Sequence, residues 1–584
     1  MTRGKRIASG ISAYRFGDPL VTATRYSGCR HHIEEYCGMK SMRNLEGPSR
    51  ARVPAWWGIA LAAGVLAGCG GGSGNGSGTE AAMAASAATE QAAAVSATDG
   101  DATFNADPAA ALPSKCTAPN RVNDTIPKLL ECVTFAEVRK HQKALQDIAD
   151  ANGGTRAAGT EGFDASARYA VKVFRQAGYD VRRQYFQYDV TREITPTVLQ
   201  VVAPTPRDVV TFGLSNSKNG DVTAAVKALP FQPADTTPGC EASDWAGFPK
   251  GNIALVGRGE CTFAQKALNA EAAGAVGVVI ADNVEADIPF FGTLGPDFPG
   301  LIPVTAITKA EGDTLAAVSG LRMHLSINTR DVHIETSNVI AESQKGDPGQ
   351  VVMVGAHLDS VIKGPGINDN GSGTAAILET AKQLAKVHPR NRLRFALWGG
   401  EEDGLVGSIA YVNSLEAWQQ RRIALYLNFD MIASPNPGFF IYDGDDSDAT
   451  GSGAGPEGSA EIEKAFEGFY QRRGIAFKGT DFDGRSDYFG FIAVGIPSGG
   501  LFTGAEDKKT ADEVALWGGT AGEAYDPCYH EACDTYANID RFAFNVNLHS
   551  VAAVTLQYAK DPTPPGAGRA EATAAKATAA GAKL

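Results

Sequence analysis

The stretch AHLDSVIKGPGINDNGSG, Ala356 to Gly373, decides how this chain is read. Val351 to Ala356 is apolar and β-branched, the text of a buried strand. From Gly373 to Val387, residues Ala375, Leu378, Ala381, Leu384 and Ala385 recur at helical spacing, which predicts an amphipathic helix. Between the two lies a glycine-rich loop holding His357, Asp359 and Asp369. Polar groups set where a buried strand stops are placed for chemistry, because sites in open α/β sheets gather beyond the carboxyl ends of strands.

Two more strands of this kind follow. Leu393–Leu397 leads through Trp398 and two glycines to Glu401 and Glu402, and Ile423–Phe429 ends at Asp430. Short buried strands separated by helical text predict an α/β domain with a mainly parallel sheet. Three strands thus bring His and carboxylates to one edge. Crowded, partly desolvated carboxylates repel one another, and a bound cation is the simplest compensation. Imidazole and carboxylate donors without cysteine suit Zn²⁺ or a similar divalent ion. The Glu401-Glu402 pair by itself would equally suit a solvated helix start, where acidic residues complement the dipole.

A second imidazole is needed, and the chain has nine His. His141, on a polar helix face, and His388, before a proline, read as surface residues. His324 and His333 fall in strand-like text, and His549 reads as packed on a closing helix over Asp540–Lys560. His530 stands apart. It lies in Asp526-Pro-Cys-Tyr-His-Glu-Ala-Cys533, where a bond between Cys528 and Cys533 would stiffen the loop around a ligand. The acidic run Asp443–Asp448 has a calcium-like composition without EF-hand spacing, and reads as a solvated loop.

Outward from this region the texture changes in steps. The whole chain of 584 residues carries a formal charge of −13, although residues 1–69 hold ten Lys/Arg against four Asp/Glu. The remainder is therefore strongly acidic, which argues against nucleic acid as a partner. Ala51 to Cys69 has a basic start, an apolar segment too short for a confident membrane span, and the ending Leu66-Ala67-Gly68-Cys69. This resembles the lipobox of bacterial lipoprotein signal peptides, which implies cleavage before Cys69, its acylation, and export to face the periplasm or cell exterior, anchored or secreted. A signal peptide at 42–69 makes residues 1–41 a spurious upstream extension. Residues 70–115 are Gly/Ser- and Ala/Thr-rich, a flexible tether, and 561–584 read as a disordered tail. Six cysteines remain, an even number in an exported chain. They permit fifteen pairings; nearness in sequence within separate domains favours Cys116–Cys132, Cys240–Cys261 and Cys528–Cys533.

Helical spacing predicts helices over Phe135–Ala151 and Phe163–Gly178, followed by a strand over Tyr179–Val190. Residues 200–328 form a separate texture, with strands at Asn252–Val256 and Gly274–Ile280 around a helix opening near Cys261. GRGECTFAQKALNAEAAGAVGVVIADN resembles the core of the protease-associated (PA) domain, an insert that covers or extends a substrate entrance without being catalytic.

The ordered motifs AHLDSV, GPGINDNGSG, WGGEEDGLVGS, YLNFDMI, DGRSDYFGF, GIPSGGLFTG and DPCYHEACDT resemble the secreted bacterial di-zinc aminopeptidases of the zinc-exopeptidase clan. The resemblance implies a mixed, mainly parallel sheet flanked by helices, built from 116–199 and 329–560 with the PA domain inserted. It implies two Zn²⁺, one on His357 and Asp430, the other on Glu402 and His530, with Asp369 bridging. Glu401 would be the general base, Asp359 would bind the second nitrogen of His357, and Tyr529 would donate to the oxyanion. Substrates would be peptide or protein N-termini, with Glu401 and Asp430 as candidates for the free amine. Arg485 and Asp487 would contact substrate, and Gly500-Leu501-Phe502 would line a pocket for an apolar first residue. A monomer is expected. Carboxypeptidase and glutaminyl cyclase chemistry of the same clan, and a non-catalytic binding protein on this fold, stay open as alternatives.

Overall fold

Two strands of unusual length, Asp180–Ala203 and Arg322–Glu342, pair antiparallel along almost their whole extent, from Asp180 opposite Glu342 to Ala203 opposite Arg322. The computed structural model describes residues 112–569 except 232–233, 285–287, 291, 296–297, 450–452 and 568. The expected signal peptide, Cys69 and most of the tether and tail therefore lie outside the described residues. Among the described residues no helix is long and apolar enough to cross a membrane.

The long ribbon joins the two halves of one continuous sheet. Toward Glu342 it borders Asn391–Trp398 antiparallel, followed by Asp347–His357, Ile423–Phe429 and Ser498–Phe502, all mutually parallel. Toward Arg322 it borders Gly220–Ala228, which leads through Ile253–Gly257 and Gly277–Ala281 to Val304–Ile307 in parallel order. The expected boundary at 328/329 thus falls inside a continuous strand. The helix before Gly277 stops at Gly274, whose φ of +92° is a conformation glycine adopts freely.

Side-chain alternation explains the layers. Val352, Val354, Leu425, Leu427, Phe395 and Leu397 face one core with the helices Phe135–Ala151, Gly371–Leu384 and Arg541–Lys560. Met353, Ala396, Trp398 and Tyr426 face the other, against Tyr411, Val412 and Phe491. Both faces of the sheet are covered, so its strands read as continuous apolar runs. The expected helix after Phe163 runs over Glu161–Gln176, started by Thr160, whose hydroxyl accepts from the Phe163 amide. Its Phe174 stacks on Phe395 with ring centres 6.0 Å apart, and Tyr179 meets the same ring edge-on at 5.4 Å. The six cysteines form Cys116–Cys132, Cys240–Cys261 and Cys528–Cys533.

Phe395→Ala should remove the ring that joins this helix to the sheet. A loss of about 3–5 kcal/mol in unfolding free energy is expected, read from urea denaturation of the variant beside the parent.

Candidate active site

The strand end at His357 passes into a loop that returns to the sheet edge at Asp369, and the Asp369–Asn370 peptide is cis. The Asn370 side chain then caps the buried helix Gly371–Leu384 by accepting from the Gly373 amide at 2.9 Å. Gly373 is required there, because a Cβ would stand 2.2 Å from the carbonyl oxygen of Phe429. That contact brings the helix start against the strand end that carries Asp430.

Asp369 sits between two imidazoles. Its Oδ1 is 3.1 Å from His357 Nε2 and its Oδ2 is 3.3 Å from His530 Nε2. Asp430 Oδ1 lies 3.2 Å from His357 Nε2, and Glu402 Oε2 lies 2.9 Å from His530 Nε2. Glu401 Oε2 is farther, 3.8 Å from His357 Nε2. Ligand-type atoms of His357, Asp369 and Glu402 fall within 4.8 Å of one another, as do those of His357, Glu401 and Asp430. Glu402 Oε1 is buried without a hydrogen-bond partner. An orphaned carboxylate oxygen in a cage of imidazoles and carboxylates fits divalent metal of the zinc type.

The electrostatics agree with that fit. Burial works against charge on His357, yet Asp430, Glu401 and Asp369 hold its ring well above the usual imidazole range. His530 is likewise raised to about 11 by Glu402 and Asp369 against the cost of burial. Burial would push Asp369 up, but hydrogen bonds to both imidazoles bring it far below the ordinary carboxylate value. Glu401 is driven well upward, first by burial and then by Asp430, Glu402 and Asp487, with His357 opposing. Cations are in demand here, and protons on the two rings are a substitute that metal ions would displace.

The residues behind the cage were mostly not anticipated. Trp398 Nε1 donates to Tyr426 Oη, which donates to Asn428 Oδ1; Asn428 Nδ2 donates to Ser486 Oγ, which donates to Asp430 Oδ2 at 2.6 Å. Asp534 accepts from the Asn368 and Asp369 amides, and Asp526 accepts from Asn368 Nδ2 and the Cys528 amide. These two acids tie the His530 loop to the Asp369 loop. Arg156, fully buried, donates to the carbonyls of Leu358, Pro365 and Gly366 beneath the site. Burial lowers its guanidinium to about 10, while Asp359, Asp534, Asp369 and Glu402 oppose the fall. His530 itself has φ +58°, and its ring stacks on Tyr529 at 3.8 Å inside the Cys528–Cys533 loop.

Several expected roles change. The Asp359 carboxylate is 3.8 Å from His357 Nδ1, and the ring nitrogen instead faces the Asp359 backbone carbonyl at 3.2 Å. The carboxylate turns to the Glu401 and Glu402 amides, at 3.3 and 3.4 Å, and so positions the acidic pair. Arg485 donates to Tyr529 Oη and pairs with Glu506, not with Asp487. Asp487 is fully buried beside Ser408, off the cavity wall, and burial raises it to about 8. Of Gly500-Leu501-Phe502 only Phe502 reaches the cavity; Leu501 is core, and a Cβ on Gly500 would meet the Asn428 carbonyl. The cavity of about 120 Å³ joins Phe502 to Met431, Tyr442 and Ala505, with Asp481, Asp483 and Asp507 on its wall. His141 is buried, with Nδ1 2.7 Å from Tyr169 Oη and Nε2 3.3 Å from Glu379, contrary to the surface reading. His549 is packed, its Nε2 2.9 Å from the Val133 carbonyl. Asp443 is also buried, its carboxylate accepting from the Ser447 and Asp448 amides, so the acidic loop is solvated only beyond it.

With this geometry in view, comparison with known proteins is direct. The profile described as "Peptidase family M28" matches residues 338–555, and that of the PA domain matches residues 220–315. An aminopeptidase of Pseudomonas aeruginosa is 46% identical over 457 residues, covering 76% of this chain and 84% of the relative. The chain belongs to peptidase family M28. A "Probable lipoprotein aminopeptidase LpqL" of Mycobacterium tuberculosis is 48% identical over 427 residues, covering 72% of this chain and 84% of the relative. Among solved structures, an aminopeptidase from Aneurinibacillus sp. strain AM-1 superimposes with a TM-score of 0.58 at 25% identity, covering 76% of this chain and 97% of the other. A zinc aminopeptidase from Bacillus subtilis gives 0.53 at 25% identity, covering 73% and 96%. The fold is thus a mixed α/β peptidase with an inserted PA domain, and the protein is a hydrolase of the zinc-dependent M28 type.

Ser486→Ala should free Asp430 Oδ2 from the hydrogen-bond chain. Zinc affinity is expected to fall about 10–100-fold, as for other ligand-orienting partners, measured by competition with a chromophoric chelator while the circular dichroism spectrum stays that of the parent.

Proposed function

We propose that this M28 enzyme removes single residues from the free N-termini of peptides by a co-catalytic mechanism with two zinc ions. The observation that carries the reading is Asp369, whose two oxygens face His357 and His530 separately. His357 and Asp430 would hold one ion, Glu402 and His530 the other, and Asp369 both. Zinc, when bound, supplies Lewis-acid polarisation of the scissile carbonyl and acidifies the attacking water.

The chain supplies proton transfer and orientation. Glu401 would accept the proton of the attacking water on its carboxylate and return it to the leaving amine. The Asp359 carboxylate keeps the Glu401 amide in place. Tyr529, whose hydroxyl already accepts from Arg485, would donate its own proton toward the developing oxyanion. A free α-amine would be drawn to the carboxylates around Glu401 and Asp430. Phe502, Met431, Tyr442 and Ala505 would receive the first side chain, favouring an apolar residue. The chain is further proposed to be exported and anchored through an acylated Cys69, supported by its lipobox-like sequence and its lipoprotein-named relative.

Leu-p-nitroanilide should be hydrolysed only with its amine free. An N-acetylated copy cleaved at the same rate in a side-by-side assay would overturn the aminopeptidase reading. Glu401→Gln should lower kcat by at least about 100-fold, the usual contribution of a general acid–base group, with zinc content by atomic absorption unchanged. Loss of zinc from that variant would instead make Glu401 a ligand.

A further inference from the structure

The chain is acidic as a whole, yet one face of the catalytic domain is basic. A surface hollow of about 630 Å³ lies between the helix Glu161–Gln176 and the start of the strand Asp180–Ala203. Arg168, Lys172, Arg175, Arg182 and Arg183 line it without a single carboxylate among the lining residues. Arg168, Lys172 and Arg175 repeat at i, i+4 and i+7 and so share one stripe of the helix. Like charges stacked this way disfavour the helix unless something external compensates them. Arg183 is held by Asp164 at 2.5 Å, and Arg168 stands 3.7 Å from Glu161. Lys172, Arg175 and Arg182 are exposed, and none of them forms an ion pair among the described residues. Tyr185, 70% exposed, completes the wall, with the Arg183 guanidinium 4.9 Å over its ring.

A second hollow of about 610 Å³ adjoins the first, sharing Lys172 and Gln176. It adds Lys140, Lys382 and Lys386, and the one acid among its lining residues, Glu137, is buried and already engaged by Lys140 and by Lys382 at 2.9 Å. Lys386 also holds the segment that follows the expected tether. Its Nζ donates to the carbonyls of Pro119 at 3.0 Å and Ala118 at 3.4 Å. Ala118 and Pro119 therefore lie against the wall of this basic face.

We infer that this face, centred on Lys172, Arg175 and Arg182, docks the catalytic domain on an anionic phospholipid surface. Unpaired cations beside an exposed tyrosine match the chemistry of phosphate headgroups at a membrane interface. A lipid on Cys69 would keep the domain close to a bilayer and so raise the effective concentration of headgroups at this face. In this respect the inference rests on the lipoprotein reading above.

The test uses full-length protein carrying Cys69→Ser, so that no acyl chain contributes. Co-sedimentation is measured with vesicles of equal parts phosphatidylglycerol and phosphatidylcholine, and with vesicles of phosphatidylcholine alone. Binding is expected to the anionic vesicles only, and to vanish as added NaCl shortens the screening length from about 10 Å at 0.1 M to about 3 Å at 1 M. The variant Lys172→Glu/Arg175→Glu/Arg182→Glu should lose at least about tenfold in binding, each cation contributing through the surface potential, while it hydrolyses Leu-p-nitroanilide at the parent rate. Lys172→Gln/Arg175→Gln/Arg182→Gln should lie between the two. Equal binding to neutral vesicles, undiminished binding by the charge-reversed protein, or no binding at all would overturn the inference. So would displacement by inorganic phosphate beyond that by chloride of equal ionic strength, which marks a discrete phosphate site, or a dimer in sedimentation that the reversal dissociates. Mass spectrometry of the Cys69 peptide from wild-type membranes reports on the anchor separately, since a missing acyl group leaves the vesicle result untouched.

Discussion

Asp369 offers one oxygen to each of two imidazoles, and that division sets the terms for everything around it. A buried carboxylate is unfavourable unless paired, and here Glu401, Glu402, Asp430 and Asp359 are all buried or nearly so within the same region. The two rings answer by holding protons well beyond their normal range. Divalent ions in place of those protons would set more positive charge against the crowded carboxylates and give Glu402 Oε1 the partner it lacks among the protein's own described groups. The cage is therefore built for cations before any substrate arrives.

Such a cage must be prevented from relaxing, and the braces come from distant parts of the chain. Arg156 draws together three loop carbonyls, so that its removal would take a buried donor from each. Asp526 and Asp534 reach from the His530 loop to Asn368 and Asp369, across a separation of more than 150 residues. The disulfide closes the same loop from the other side. The chain Trp398–Tyr426–Asn428–Ser486 threads the opposite core face to fix Asp430. Each ligand is thus held by a neighbour whose own position is set by packing, which is how a site keeps its geometry to within a fraction of an ångström.

Much of this was legible from strand ends. His357, Glu402 and Asp430 follow buried runs that could be read directly, and the structure brings them together with Asp369 and His530. What escaped was what local text does not encode. Whether His357 meets the side chain or the carbonyl of Asp359 depends on the backbone torsion of two residues. Arg485 and Asp487 sit on opposite sides of one short turn, so a motif naming both could not say which faced the cavity. His141 looked solvated because its partner, Glu379, lies 238 residues away. Asp526 and Asp534 stood inside a motif already singled out, and the general need of a metal ligand for an orienting acid was the signal that could have found them.

The long ribbon gives the inserted domain a physical route to the chemistry. A flexible linker would isolate the insert, but Asp180–Ala203 and Arg322–Glu342 carry their hydrogen-bonded register from one half of the sheet into the other. Irregularities between Glu193 and Thr195, and again before Val198, bend the pair near the crossing. Just on the catalytic side, Tyr188 Oη donates to Asp403 at 2.5 Å and Arg192 pairs with the same carboxylate at 2.7 Å. Asp403 directly follows Glu401 and Glu402. Tyr188 Oη also lies 2.7 Å from where a Cβ on Gly400 would be, so this residue, at φ +75°, must be glycine. The strand that enters the PA domain therefore presses on the loop that carries the proposed base. Glu401 thus stands two residues from a side chain held by that strand, whereas His357 and Asp430 are rooted in strands at the sheet centre.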